Sequence, residues 1–156
     1  MRRSMLSLSV ALGVAVVATA WLAASTASGK SKSAPVLSTM DELKWAAAPD
    51  AEGIQEAVLW GDPGKGAYGA IDRFKAGLNL PLHTHSSESR GVVISGTLVL
   101  TLEGKEPKEL GPGSYLLVPG NLRHVTACEE GEDCVVFVQQ PGKSDFNPVE
   151  QAGSGK

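Results

Sequence analysis

The first 27 residues contain no acidic side chain, begin with Arg2-Arg3, and run apolar over positions 5–24. An acid-free start with a basic pair ahead of an apolar run is a signal-peptide pattern. Small residues at Ser25 and Ala27 meet the −3/−1 requirement of a signal peptidase, which places cleavage after Ala27. An apolar run of roughly 20 residues is also just long enough to span a bilayer. An uncleaved anchor is therefore the competing reading, although Gly, Ser and Thr dilute the run and favour cleavage. No cysteine lies near the cut, which argues against a lipidated N-terminus. In either case the remainder of the chain is expected outside the cytoplasm, periplasmic or secreted.

Positive charge is also scarce. Fourteen Lys and Arg face 17 Asp and Glu. Loss of residues 1–27 removes two arginines and no acid, moving the formal net charge from −3 to −5. A mildly acidic surface offers nothing to a phosphate backbone, so nucleic acid is not an expected partner. Membrane contact is expected only if the N-terminal segment stays attached. Some 129 residues remain, enough for one domain and too few for two. Cysteine is limited to Cys128 and Cys134, on either side of a Glu-Glu-Gly-Glu-Asp turn. In an oxidising compartment their natural product is a short-loop disulfide, with free thiols or a metal site as the alternatives.

Helix signals are nearly absent, the one weak candidate being 40–45. Positions 28–35 are rich in Ser, Lys and Gly and read as a flexible tether. Short β-type runs then recur between Gly, Pro and Asn punctuation, at 54–60, 68–74, 80–85, 90–95, 97–102, 115–118, 122–127 and 134–139. Eight short strands with tight turns predict an all-β, closed antiparallel structure in a single domain over 36–146. Positions 147–156 read as a loose tail, with Phe146 able to pin its start to the barrel. No internal repeat is visible.

Histidine occurs three times, as His83, His85 and His124. On a strand, residues i and i+2 point to one face, about 6.5–7 Å apart along the chain. His83 and His85 can thus converge on one ion, and an antiparallel barrel can bring His124 alongside them. Imidazole suits Zn, Fe, Mn or Ni, and three histidines with open positions are a catalytic type of arrangement.

The surrounding residues resemble the cupin superfamily in both of its short motifs. The first, G-x5-H-x-H-x3/4-E-x6-G, is matched by Gly77, His83, His85 and Gly96. The second, G-x5-P-x-G-x2-H-x3-N, is matched by Gly113, Pro119 and His124. This resemblance implies a jelly-roll cupin β-barrel and a divalent transition metal on the three histidines. More narrowly, Leu59-Trp60-Gly61-Asp62-Pro63, the Pro81–Ser86 stretch and the Arg90–Gly96 stretch resemble little-characterised bacterial cupins. Those are similar to the cupin domain of zinc-dependent anti-sigma factors. The sigma-binding domain has no counterpart in the sequence, and an exported protein does not meet a cytoplasmic sigma factor, so no regulatory role is carried over.

Departures from the motifs matter equally. The family glutamate should fall at Ser89, whereas the carboxylate present is Glu88, one place early. On a regular strand Glu88 points away from the histidines; a bulge at Ser86-Ser87 would re-aim it as a fourth ligand. Its other reading is a surface carboxylate paired with Arg90. Asn121 replaces a glycine, which is mild because Asn tolerates left-handed turns. Cys128 replaces the final Asn and, four strand residues or about 13 Å from His124, cannot share its metal without a bend. Trp60, Tyr68 and Phe74 are expected in the core, and Arg90 and Arg123 in exposed pairs with nearby glutamates. The Gly-rich piece 61–69 is a turn, since it lacks the Lys-Ser/Thr ending of a phosphate loop. Ser86 and Ser87 lack the orienting groups of a hydrolytic triad.

Two functions follow. One is a metalloenzyme of oxygenase, isomerase or lyase type acting on a small molecule, with no residue singled out as catalytic. The other is a non-catalytic metal or small-ligand binding or sensor protein of the cell envelope. The lack of an obvious general acid or base beyond Glu88 favours the second. A homodimer is compatible with either.

Overall fold

A computed structural model describes residues 34–48 and 51–150. The expected signal segment, most of the tether and positions 151–156 lie outside the described residues. The chain divides into a unit of residues 1–36, described only at 34–36, and a second unit from Leu37 onward.

The second unit opens with a single 3-10 turn, Met40–Glu42, in place of the helix expected over 40–45. Thr39 and Glu42 close a reciprocal capping box around it. Trp45 lies beyond the turn, stacked under the Arg73 guanidinium at 4.1 Å. Eleven strands follow among the described residues: β1 Ala46–Ala47, β2 Ile54–Gly61, β3 Tyr68–Phe74, β4 His83–Thr84, β5 Ser89–Ser95, β6 Leu98–Leu102, β7 Lys108–Leu110, β8 Tyr115–Val118, β9 His124–Cys128, β10 Cys134–Gln140 and β11 Asn147–Pro148. They form two antiparallel sheets, one in the order β1-β2-β3-β10-β5-β8 and one in the order β11-β4-β9-β6-β7. This is the expected all-β jelly roll.

Alternation along the strands builds the interior. On β3 the period-two set Tyr68, Ala70 and Phe74 is buried, and on β10 Cys134, Val136 and Val138 are buried. Leu98, Leu110 and Cys128 supply the facing sheet. Tyr68 and Phe74 are interior, as expected. Trp60 is not: it is 46% exposed on the outer surface, where it covers Gly69, and a Cβ there would come within 2.3 Å of its Nε1. A register shift between Val58 and Trp60 turns the end of β2 outward and explains this.

The run expected over 80–85 is reduced to the two residues of β4. Pro81 has no N–H to give to a ladder, and its carbonyl is taken by a side chain. Residues 78–80 still follow β9, with Leu80 N–H donating to the Thr126 carbonyl and Cys128 N–H to that of Leu78. At the other end, β11 pairs Asn147 with Thr84 and Pro148 with His83, so the sheet runs two residues past the expected boundary at 146. Gly96 turns β5 into β6 at φ +72°, where a Cβ would meet the Asp133 carbonyl at 2.8 Å. Cys128 and Cys134 form the expected disulfide, joining β9 to β10.

Candidate metal centre

The β11-β4-β9-β6-β7 sheet brings the three histidines together. His83 and His124 are directly opposed partners on β4 and β9, with ring centroids 4.2 Å apart. His85 follows β4, and its ring lies 5.0 Å from that of His83 and 5.3 Å from that of His124. The Pro119-Gly120-Asn121 turn sets this spacing. Asn121 is the one described non-glycine residue at positive φ, 63°, and its N–H donates to the His85 carbonyl at 2.7 Å. Gly120 lets the turn approach, since a Cβ there would meet the Ser86 carbonyl at 2.6 Å. One ligand atom from each histidine falls within 4.8 Å of the others.

Each ring is oriented by the same device. His83 Nδ1 lies 2.7 Å from the Pro81 carbonyl, His85 Nδ1 2.5 Å from that of Asp145, and His124 Nδ1 2.8 Å from that of Leu122. A carbonyl can only accept, so every Nδ1 carries a proton and Nε2 is the ring atom left to face a metal. Burial pushes the His83 imidazole down to about 4, with His124 and His85 adding to the effect against the Pro81 hydrogen bond. Burial likewise lowers His124. Three rings held at Nδ1, with their Nε2 atoms left to converge, form a donor set that fits a divalent transition ion.

Glu88, expected as a fourth ligand, is not in this group. Its Oε1 accepts from Arg90 Nε and Nη2, both at 2.6 Å, in the surface pair that was its other reading. No bulge re-aims it: the next residue, Ser89, faces the interior, and neighbours on a strand face opposite ways. Arg123 pairs with Glu103 at 2.7 Å.

The histidines form part of the wall of a cavity of about 130 Å³ between the sheets. Its lining is largely apolar, and Phe146 stacks 4.4 Å from the His83 ring. Asp145 fastens this corner twice, because its carboxylate also accepts from Ser86 N–H at 2.8 Å. Burial raises the Asp145 carboxyl, but hydrogen bonds from Ser86 and Asn147 outweigh it and leave the group below its usual range.

Sequence reasoning missed a second polar group in the same cavity. Glu56 on β2 and Asp72 on β3 are direct cross-strand partners, and both line it with Tyr68 and Gln140. Asp72 Oδ1 and Gln140 Oε1 are buried and have no hydrogen-bond partner. Burial, reinforced by Glu56, pushes the Asp72 carboxyl up to about 8, and burial also raises Glu56. The signal was present in the alternation: in Tyr68-x-Ala70-x-Asp72-x-Phe74 the acid occupies an inward position.

Comparison with known proteins agrees with this geometry. Over 51 residues the chain is 35% identical to dimethylsulfoniopropionate lyase DddQ of Ruegeria pomeroyi, a match covering 33% of this chain and 25% of the relative. The chain thus spans a quarter of that relative's length. The polyketide cyclase RemF from Streptomyces resistomycificus superposes with a TM-score of 0.65 at 18% identity, covering 76% of this chain and 88% of that one. The anti-sigma ChrR of Rhodobacter sphaeroides, in its complex with SigE, superposes with a TM-score of 0.53 at 20% identity, covering 65% and 50%. These two likenesses show the shared fold. The family model of the ChrR cupin-like domain matches residues 33–142, which include all three histidines, and the chain belongs to that family of cupins.

Proposed function

We propose that the protein is an exported, metal-dependent enzyme acting on a small molecule, with His83, His85 and His124 holding one divalent transition ion. The observation that carries this reading is the set of three Nδ1–carbonyl hydrogen bonds, which leave three Nε2 atoms to converge at the wall of a cavity. An ion held there supplies Lewis-acid polarisation of a ligand oxygen or a lowered pKa of bound water. The chain's own residues do the rest: Phe146 and the aliphatic lining exclude bulk water, and the carbonyls of Pro81, Leu122 and Asp145 keep the rings from turning. Ser89 takes the family's glutamate position, so the ion keeps its full charge with no carboxylate ligand.

Perturbed titratable groups gathered in a cleft mark functional sites, and Glu56 and Asp72 share this one. Their presence weakens the case for a purely binding protein, which rested on the lack of any internal acid or base. The lyase and cyclase activities of its relatives favour lyase or isomerase chemistry over oxygenation. The signal-like N-terminus and the disulfide support an envelope location.

Elemental analysis of untagged protein purified from its native envelope tests the reading. One divalent ion per chain, lost in His83→Ala, is expected, with no substrate-dependent O2 uptake. Absence of stoichiometric metal overturns the proposal.

A further inference from the structure

The wall of the cavity formed by β2, β3 and the end of β10 is built as an acceptor site with nothing to accept. Glu56 and Asp72 face each other across one register step. Gln140, 5% exposed, adds an amide oxygen without a partner, and Asp72 Oδ1 is equally unpartnered. Among the described residues that line the cavity there is no Lys or Arg, so no side chain offsets the two carboxyls. Unpaired buried acceptors of this kind are costly to maintain, and native structures keep them where function, an ordered water, an ion or a ligand accounts for them.

The neighbours indicate what kind of ligand. Tyr68 and Phe74 share the inward face of β3 with Asp72 and present aromatic surface on either side of it. Much of the remaining lining is aliphatic, including Ile54, Leu116 and Val138. A hydrated inorganic cation finds too few oxygen ligands here and too much apolar surface. An alkylammonium group, by contrast, gains from carboxylates and aromatic faces together. A cavity near 130 Å³ is comparable to one that encloses a single benzene-sized molecule.

We infer that Glu56 and Asp72, flanked along β3 by Phe74 on one side and by Tyr68 with its cross-strand partner Gln140 on the other, form a subsite for the alkylammonium group of a small molecule. The inference goes beyond the proposed metal chemistry and does not depend on it. It gives the cavity two unlike walls, carboxyls on one sheet and imidazoles on the other, and so predicts a ligand with a cationic head.

tert-Butylammonium is the test probe, because it carries the charge and N–H donors for the unpartnered acceptors yet, protonated at pH 7, has no lone pair with which to ligate a metal. Titration into the wild-type protein, followed by calorimetry and thermal unfolding, is expected to give saturable binding and a raised Tm. Uncharged tert-butanol, of nearly the same shape, is expected to give neither. Burial holds the Asp72 proton on at pH 7 in the free protein, so cation binding releases about one proton, read as a heat difference between buffers of unlike ionisation enthalpy. The other titratable groups facing this cavity are Glu56, Tyr68, Asp145 and the three histidines. Asp72→Asn combined with Glu56→Gln is expected to weaken tert-butylammonium binding about tenfold or more. Equal response to the two probes overturns the inference, and so does undiminished binding in a folded double variant. If the double variant fails to fold, the comparison of probes on the wild type decides alone. Loss of the metal reading leaves this result untouched, since the probe binds without a metal.

Discussion

Asp72 shows how one inward acid couples burial to pH. Its proton is held in the folded protein up to about 8, whereas the ordinary carboxyl value is 3.8. The folded state therefore binds more protons than the unfolded state between those values. Stability from this group is whole below 3.8 and is lost as pH rises toward about 8, with a slope of at most about 1.4 kcal/mol per pH unit. Glu56, also raised by burial, acts in the same direction. Asp72→Asn keeps the shape and removes the titration, so urea unfolding should show a shallower pH dependence and higher stability at pH 8 than the wild type. Parallel stability curves for the two proteins would contradict this account. Phe146 makes a different kind of contribution. Partly buried against the core and stacked on His83, it should cost about 2 kcal/mol when truncated to Ala and weaken metal retention as His83 loosens.

At the scale of elements, the long alternating strands were legible and the short ones were not. The runs at 68–74 and 115–118 coincide with β3 and β8, because period-two burial writes itself into the residue types. The pairs β1, β7 and β11 left no such mark: two or three residues cannot display a period, and their place is set by the neighbour they pair with. The three histidines were legible through H-x-H spacing and the second motif. Their carbonyl partners were not, since every residue has a carbonyl and only the fold decides which one a ring meets. Glu88 was left with two readings for a related reason, as its facing hinged on a bulge at Ser86-Ser87 that residue types alone do not announce. Trp60 shows the reverse case, a register shift in β2 that no residue type announced. The disulfide between β9 and β10 carries its own prediction. It closes a loop of sequence separation 6, which in the chain-entropy account is worth roughly 2 kcal/mol. Cys128→Ser with Cys134→Ser should lower stability by about that amount in chemical unfolding while leaving the histidine cluster assembled.

For the whole molecule, the proposed envelope location gives a direct expectation. Protein recovered from its native host should have the mass of a chain beginning at Ser28, and recovery of the intact chain in the membrane fraction would favour the anchor instead. The location also bears on how the site is completed. His85 is oriented by the carbonyl of Asp145, 60 positions later in the chain, and Ser86 is held by the same residue's carboxylate. Synthesis and translocation deliver the N-terminal side first, so all three imidazoles arrive before the last of their fastenings. Until Asp145 docks, the third ring is free to turn and the donor set is incomplete. For an exported, metal-binding chain of the kind proposed, loading is thus deferred to wherever folding ends, and the ion captured is drawn from the pool on that side of the membrane, so that the choice of metal is made as much by address as by affinity.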